Sequence, residues 1–291
     1  MHNLILSIGF GLITASVLAV AALGVTLQFG VTNYINFAYG SYLALGAYLA
    51  WEANVRLGLN IWVASLVSAL AMAVFAVIVN RAVFEPFRRR STPPIYLLIV
   101  TMGLWLLLSS AIGIIWGPNA YTFNMGTQLP SQIGPFLFTS QQLIVIGLSG
   151  VILLGVHLLL TRTKLGKAMR AMSDDVDLAS ASGIDAELIV NVTWLLTGFL
   201  IGLAGCIIAV NFSSFSPTFG DEYLFVIFAA VILGGIGQPY GTMLGALIIG
   251  LAIEMSALVI NAAFKQDVAF LILIAVILVR PQGLIPARGR H

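Results

Sequence analysis

The 291-residue chain predicts an all-α polytopic membrane protein of about eight or nine transmembrane segments, some short or broken, with one charged cytoplasmic loop. Three observations carry that class. The chain is 60% apolar and only 8% charged, with a mean hydropathy of +1.04, so its solvent is mostly lipid. Its apolar runs reach about 20 residues, enough to cross a hydrocarbon core of roughly 30 Å. They are apolar on every face without period-2 alternation, which excludes a closed barrel and leaves helices to satisfy the backbone in lipid.

The elements follow in order. Leu4 to Phe29 is a first span; without a basic leader or a clear small-residue cleavage site, it is read as retained rather than as a signal peptide. Ile35 to Trp51 is a second, and "NYINFAYGSYLALGAY" (33 to 48) sets Asn33, Asn36, Tyr39, Gly40 and Gly46 into it. Amides in hydrocarbon need partners, so these residues either join helices or line an aqueous path. Leu59 to Val79 is a third span, ending at the basic group Arg81, Arg88, Arg89 and Arg90. Ile95 to Trp116 and Leu143 to Leu160 flank an uncharged stretch, Gly117 to Gln142, that holds Pro118, Pro130 and Pro135. A second basic group follows at Arg162, Lys164, Lys167 and Arg170, and a third at Arg280, Arg288 and Arg290. Lys and Arg collect on the cytoplasmic side, so these three groups lie inside, the proline-containing loop outside, and three crossings before Arg81 put the N-terminus outside. Leu188 to Val210, 223 to 236, Tyr240 to Ile260 and 268 to 279 complete the set; two of these are too short to span untilted, which predicts partial, broken or tilted helices.

Several function classes fall away. His2, His157 and His291 are terminal or alone, which removes metal clusters and His-dependent catalytic triads. Gly166-Lys167 is followed by Ala168 where a phosphate-binding loop needs Ser or Thr. The basic residues sit at membrane edges and form no stripe for nucleic acid. Cys206, the single cysteine, reads as a small packing residue. The chain is expected to be no enzyme, to hold no metal, and to form one membrane domain over residues 1 to 291.

Two features of the spans invite roles. "GGIGQPYGTMLGALIIG" (234 to 250) holds Gly234 and Gly235, and it opens a span with the pair Gly241 and Gly245, small residues that let helix backbones approach closely in lipid. Glu52 and Glu254 are the ionisable groups read as nearest membrane depth. Glu254, flanked by apolar residues, is either a translocation-path carboxylate or a hydrogen-bonded structural one.

The most polar stretch is "GKAMRAMSDDVDLASASGID" (166 to 185); nine of the chain's 24 Lys, Arg, Asp and Glu residues fall between Arg162 and Glu187. Apolar residues at Leu165, Ala168, Met169, Met172, Val176 and Ala179 recur at helical spacing. Cations precede anions, the wrong order for one helix dipole. A break at Ser173 repairs this, with Ser173 as N-cap of a second short helix and Gly183 in the left-handed position after it. Such a loop sets topology, lies on lipid, or docks to protein; the three aspartates oppose anionic lipid, and the unburied apolar stripe favours a protein partner.

Nearly the whole chain resembles the integral-membrane permease subunits of ABC importers for branched-chain and other hydrophobic amino acids. The resemblance is carried by "NFAYG" with "LGAY" (36 to 40 and 45 to 48), the stretch 166 to 185, "GGIGQPYGTMLGA" (234 to 246) and "RPQGL" (280 to 284). It implies that the loop at about 161 to 187 carries the ATPase-coupling helix, with Ala179 and Gly183 at an Ala-x-x-x-Gly core and Gly166, Arg170, Ser173 and Asp174 beside it. The Glu-Ala-Ala triplet of the general importer pattern is absent, as is usual for this family. Tyr39 stands where His or Gln is more often expected. Asn36, Tyr39, Gly40 and Glu254 are the candidate path residues, and the resemblance implies a second homologous permease, two cytoplasmic ATPases and a periplasmic or extracellular substrate-binding protein as partners. ATP and magnesium would be bound by the ATPases, with no cofactor in this chain, and the location would be the cytoplasmic (inner) membrane of a prokaryote. A urea or short-amide permease of the same superfamily and an ion-coupled secondary transporter remain as alternatives.

Overall fold

The described residues are predominantly helical. The computed structural model describes residues 2–90, 92–126, 130–134, 136–212, 214–261, 264–280 and 282–285. Pro135, Pro281, Arg288, Arg290 and His291, named above, lie outside these residues.

Helix α1 (His2–Thr32) stops where Asn33 takes a left-handed φ of 57° and bonds its N–H to the Phe29 carbonyl at 2.8 Å. Asn36 then turns the chain: its Oδ1 accepts the Ala38 N–H at 3.1 Å and its carbonyl the Tyr39 N–H at 3.3 Å, so α2 (Tyr39–Trp51) begins only there. The second span is therefore a shorter helix than the apolar pattern suggests, extended by a π-helical turn over Glu52–Arg56. Asn60 caps α3 (Ile61–Val79) by accepting the Trp62 N–H at 3.0 Å; a second π-turn (Asn80–Phe84) continues it into α4 (Glu85–Arg89). Helix α5 (Pro94–Trp116) opens on a proline, which needs no N–H partner, and closes at Gly117.

The proline-containing loop holds a small antiparallel hairpin, β1 (Ser131–Ile133) with β2 (Phe136–Phe138). Next come α6 (Ser140–Arg162), the short pair α7 (Lys164–Asp174) and α8 (Val176–Ala181), then α9 (Ala186–Asn211), α10 (Phe219–Gly234), α11 (Pro239–Ser256) and α12 (Asp267–Val279). Six of the described helices are long and apolar enough to cross a membrane: α1, α3 with its extension to Arg89, α5, α6, α9 and α11. The short run at 268 to 279 is the 13-residue α12.

The chain divides into two compact units. One comprises residues 27–125 and 160–224. Its centre is α9, which packs most extensively against α3 and then α2. Gly198, Gly202 and Gly205 make this fit: a Cβ added at Gly202 would stand 2.6 Å from the Ala69 Cα, and one at Gly205 would run into the Leu43 carbonyl. Helix α3 answers with Ser68, Ala69, Ala73 and Ala76, and Ser68 Oγ donates to the Gly46 carbonyl at 2.6 Å. Tyr48, Trp116, Tyr121 and Phe215 gather at the far end of α5, where Tyr121 and Phe215 bond backbone to backbone at 2.9 and 3.0 Å.

The other unit comprises residues 1–26, 126–159 and 225–291. Here α10 and α11 touch through backbone: side chains at Gly234, Gly241 or Gly245 would each strike a carbonyl, those of Gly241, Gly234 and Ala230 respectively. Thr26 and Thr242 share a buried hydroxyl bond of 2.7 Å. The segment after α12 returns to cap α10, with the Leu284 and Ile285 N–H groups donating to the Leu233 and Gly234 carbonyls at 2.8 and 3.1 Å.

Candidate coupling surface and membrane path

The charged loop is specified by its caps. Thr163 Oγ1 accepts the Gly166 N–H at 3.0 Å to start α7; Asp175 Oδ1 accepts the Leu178 N–H at 2.9 Å to start α8; Asp185 Oδ1 accepts the Leu188 N–H at 3.0 Å to start α9. The break expected at Ser173 therefore falls two residues later, at Asp175, and Ser173 is not an N-cap. A carboxylate in extended backbone (φ −156°, ψ 113°) reaches the N–H three residues on, whereas Ser173 is already inside α7 with helical bonding around it. Ser173 faces the end of α1 instead, where a Cβ at Gly30 would stand 3.4 Å from its hydroxyl.

Helix α8 ends in a Schellman motif. Gly183 adopts φ 85°, its N–H bonds to Ser180 O at 3.0 Å, and the Ile184 N–H reaches back to Ala179 O at 3.1 Å. Gly166, Met169, Met172 and Ala179 are buried in the protein's own body. The apolar stripe is thus divided: Leu165, Val176 and Leu178 stay exposed, Leu178 by 66%, among exposed Arg170, Asp174, Asp175 and Asp177. The result is a short, well-capped helical pair with an outward apolar spot and charges of both signs. On the flank, Arg89 bridges Glu85 at 2.6 Å and Glu187 at 3.0 Å, tying α4 to the start of α9.

The residues expected along the path are distributed between roles. Asn36 is buried; besides turning the chain it donates to Gln28 Oε1 at 3.5 Å. Tyr39 is fully buried on the first turn of α2. Gly40 lies against the start of α10: a Cβ there would meet Gly220 O at 2.7 Å and Asp221 Oδ1 at 3.0 Å. Glu254 accepts from Thr14 Oγ1 at 3.1 Å and from Lys265 Nζ at 2.9 Å, in the last turn of α11. Glu52 accepts from Trp116 Nε1 at 2.7 Å and pairs with Arg56 at 3.0 Å, at the ends of α2 and α5. Gly235, left-handed at φ 110°, has no room for a side chain beside Ile285.

A third acid, Asp221, is set against the middle of a neighbouring helix. Asp221 accepts from Trp105 Nε1 at 2.8 Å, and Trp105 is the midpoint of the 23-residue α5, about 16 Å from either end. Sequence reasoning missed it because α10 was expected to begin after its two acids, at 223, whereas Asp221 and Glu222 occupy its first turn. The only signal in the sequence was "TFGDEYLF", an acidic pair running directly into an apolar helix with no basic residue near. The pair Gly198 and Gly202 was legible as spaced small residues and was also overlooked.

Six described helices long and apolar enough to cross a membrane, with a capped, charged loop between two of them, make an integral-membrane protein. Comparison with known proteins gives the family. Residues 7–277 match the model of the branched-chain amino acid transport system permease component. The chain is 28% identical to the high-affinity branched-chain amino acid transport system permease protein BraD of Pseudomonas aeruginosa, covering 94% of this chain and 93% of the relative. It is 30% identical to the probable branched-chain amino acid transport permease protein LivH of Methanocaldococcus jannaschii (94% and 90%) and 26% identical to LivH of Escherichia coli K12 (94% and 93%). No solved structure matches. The chain belongs to the branched-chain amino acid permease family of ABC importers.

Proposed function

We propose that this chain is one permease subunit of an ATP-driven importer for branched-chain or other hydrophobic amino acids, in the cytoplasmic (inner) membrane of a prokaryote. The observation that carries it is the family match over residues 7–277, within which the α7–α8 pair stands as a capped, outward-facing unit. Gly166, Arg170, Ser173, Asp174, Ala179 and Gly183 form or support the surface that two cytoplasmic ATPases grip. Leu165, Val176 and Leu178 supply its apolar contact and the mixed charges its register. A second homologous permease completes the path, and a periplasmic or extracellular binding protein delivers cargo. ATP and magnesium reside in the ATPases and none of the chemistry of hydrolysis in this chain. Asn36, Tyr39 and Gly40 border the path where α2 begins, while Glu254 serves assembly, because Lys265 and Thr14 already satisfy it.

The test is uptake in proteoliposomes. The assembled complex should accumulate leucine only with ATP, and collapsing the proton gradient at constant ATP should leave the rate unchanged. Uptake by this chain alone, driven by an ion gradient, would refute the proposal in favour of a secondary transporter.

A further inference from the structure

Asp221 lies against the middle of α5, where a carboxylate is expensive, and no cation among the described residues pairs with it. A charge at membrane depth costs several kcal/mol and ordinarily marks a pathway or a paired site. Among the described residues the ion pairs are Glu52–Arg56, Glu85–Arg89, Glu187–Arg89 and Glu254–Lys265, and none reaches Asp221. Its hydrogen bond from Trp105 occupies one of the roughly four acceptor positions of a carboxylate. The side chain is only part-buried, so the remaining positions are open to a visitor.

Helix capping does not explain the residue. The first-turn N–H groups of Phe219, Asp221 and Glu222 already bond to the Ser216 and Thr218 carbonyls at 3.0 to 3.3 Å. The surroundings are instead arranged around the carboxylate. Trp105 fixes its Oδ1, and the Trp105 carbonyl in turn accepts from Ser41 Oγ at 3.3 Å. Gly40 lets the backbone of α2 close on this point, since a Cβ there would stand 2.7 Å from Gly220 O and 3.0 Å from Asp221 Oδ1. The helices α2 and α10 both begin at this point, and their positive ends favour an anion between them.

We infer that Asp221 is a cargo-contacting residue of the membrane path, pairing with the ammonium group of an amino acid as it passes the starts of α2 and α10. This deepens the importer proposal and rests on it. An apolar passage with one fixed carboxylate distinguishes an amino acid from a hydrophobic acid of the same size, since only the former carries the ammonium. Trp105 is a positioning residue, holding the carboxylate beside the start of α2.

Two measurements on the full assembled transporter decide the matter. In proteoliposomes containing ATP and supplied with the binding protein and radiolabelled leucine, Asp221→Asn should lower uptake roughly tenfold or more, the loss of a hydrogen bond to a charged group. Asp221→Glu should recover a large part of it, and both should co-purify with the ATPases as the wild type does. Separately, exposed Thr218 is replaced by Cys in a Cys206→Ser background and labelled with the cationic ethylammonium and the anionic ethylsulfonate thiosulfonates. The cationic reagent should react preferentially, and Asp221→Asn should reduce that preference several-fold. Wild-type leucine uptake by Asp221→Asn, or a labelling preference that ignores Asp221, would overturn the inference. If the wild-type complex itself takes up no leucine, the importer proposal fails on its cargo, and the labelling arm still decides whether Asp221 faces a cation-selecting site.

Discussion

Replacing Gly183 by valine should loosen α8 through the backbone. An added Cβ at this position meets nothing within 4 Å. The effect comes from φ 85°, a left-handed conformation that disfavours an L side chain by about 1–2 kcal/mol. Two bonds depend on that angle, Gly183 N–H to Ser180 O and Ile184 N–H to Ala179 O, and α8 is six residues long with little else to hold it. A penalty of 1–2 kcal/mol shifts its local opening equilibrium by roughly 5- to 30-fold. Hydrogen exchange read at the Ile184 and Gly183-position amides should accelerate by about that factor, and ATP consumed per leucine imported should rise. Gly183→Asn is the control, since asparagine tolerates the left-handed region, and Ser182→Ala removes only a hydroxyl that bonds back to Leu178 O at 2.8 Å. If Gly183→Val exchanges and transports like Gly183→Asn, the Schellman turn does not maintain the coupling surface.

Other outcomes separate the elements. Asp175→Ala should destabilise α8 by roughly 0.5–2 kcal/mol through loss of its cap, whereas Ser173→Ala should leave α8 exchange unchanged; the opposite pattern would restore the break to Ser173. Gly245→Leu forces a side chain into the Ala230 carbonyl and should lower the detergent melting temperature of the complex; unchanged melting would mean that α10 and α11 do not approach as described. Glu254→Gln should leave uptake intact from pH 5 to 8 and weaken stability by about 1 kcal/mol or less, because Lys265 is one-third exposed and screened by water; a selective loss of uptake with normal assembly would return Glu254 to the path.

What the sequence discloses is set by the range of the interaction involved. The class was legible because 20-residue apolar runs admit few structures in lipid, and the left-handed Gly183 because a Schellman turn is local. The break in the charged loop was displaced by two residues because Ser173 and Asp175 are both good caps, and only the burial of Met169 and Met172 against the body decides which one leaves the helix. Division of the apolar stripe was hidden for the same reason: Leu165 and Met169 look alike in a pattern, but only Met169 is buried. Asp221 was missed on other grounds. Its significance depends on Trp105, 116 residues away, which places the carboxylate at the middle of α5 rather than at a water-facing helix end.

Within residues 27–125 and 160–224, backbone contacts lead from the charged loop to that carboxylate. Asp185 caps α9 at the point where the Schellman turn releases the chain, so a displacement of α8 is delivered to the first turn of α9 across only four residues. Helix α9 cannot absorb the displacement in side-chain rotamers where it meets α3 and α2, because Gly198, Gly202 and Gly205 present bare backbone there. Gly205 abuts Leu43, one turn from Gly40, and Gly40 abuts Gly220 and Asp221. Packed interiors have discrete arrangements rather than continuous give, so a tilt of α9 must either reseat α2 or be resisted outright. Glycine at these positions is thus more than a way to fit helices together. It leaves no side chain to yield between α9 and α2, and a Gly205→Ala substitution, which moves Leu43 while leaving the loop and Asp221 chemically intact, should alter leucine uptake without changing ATPase association.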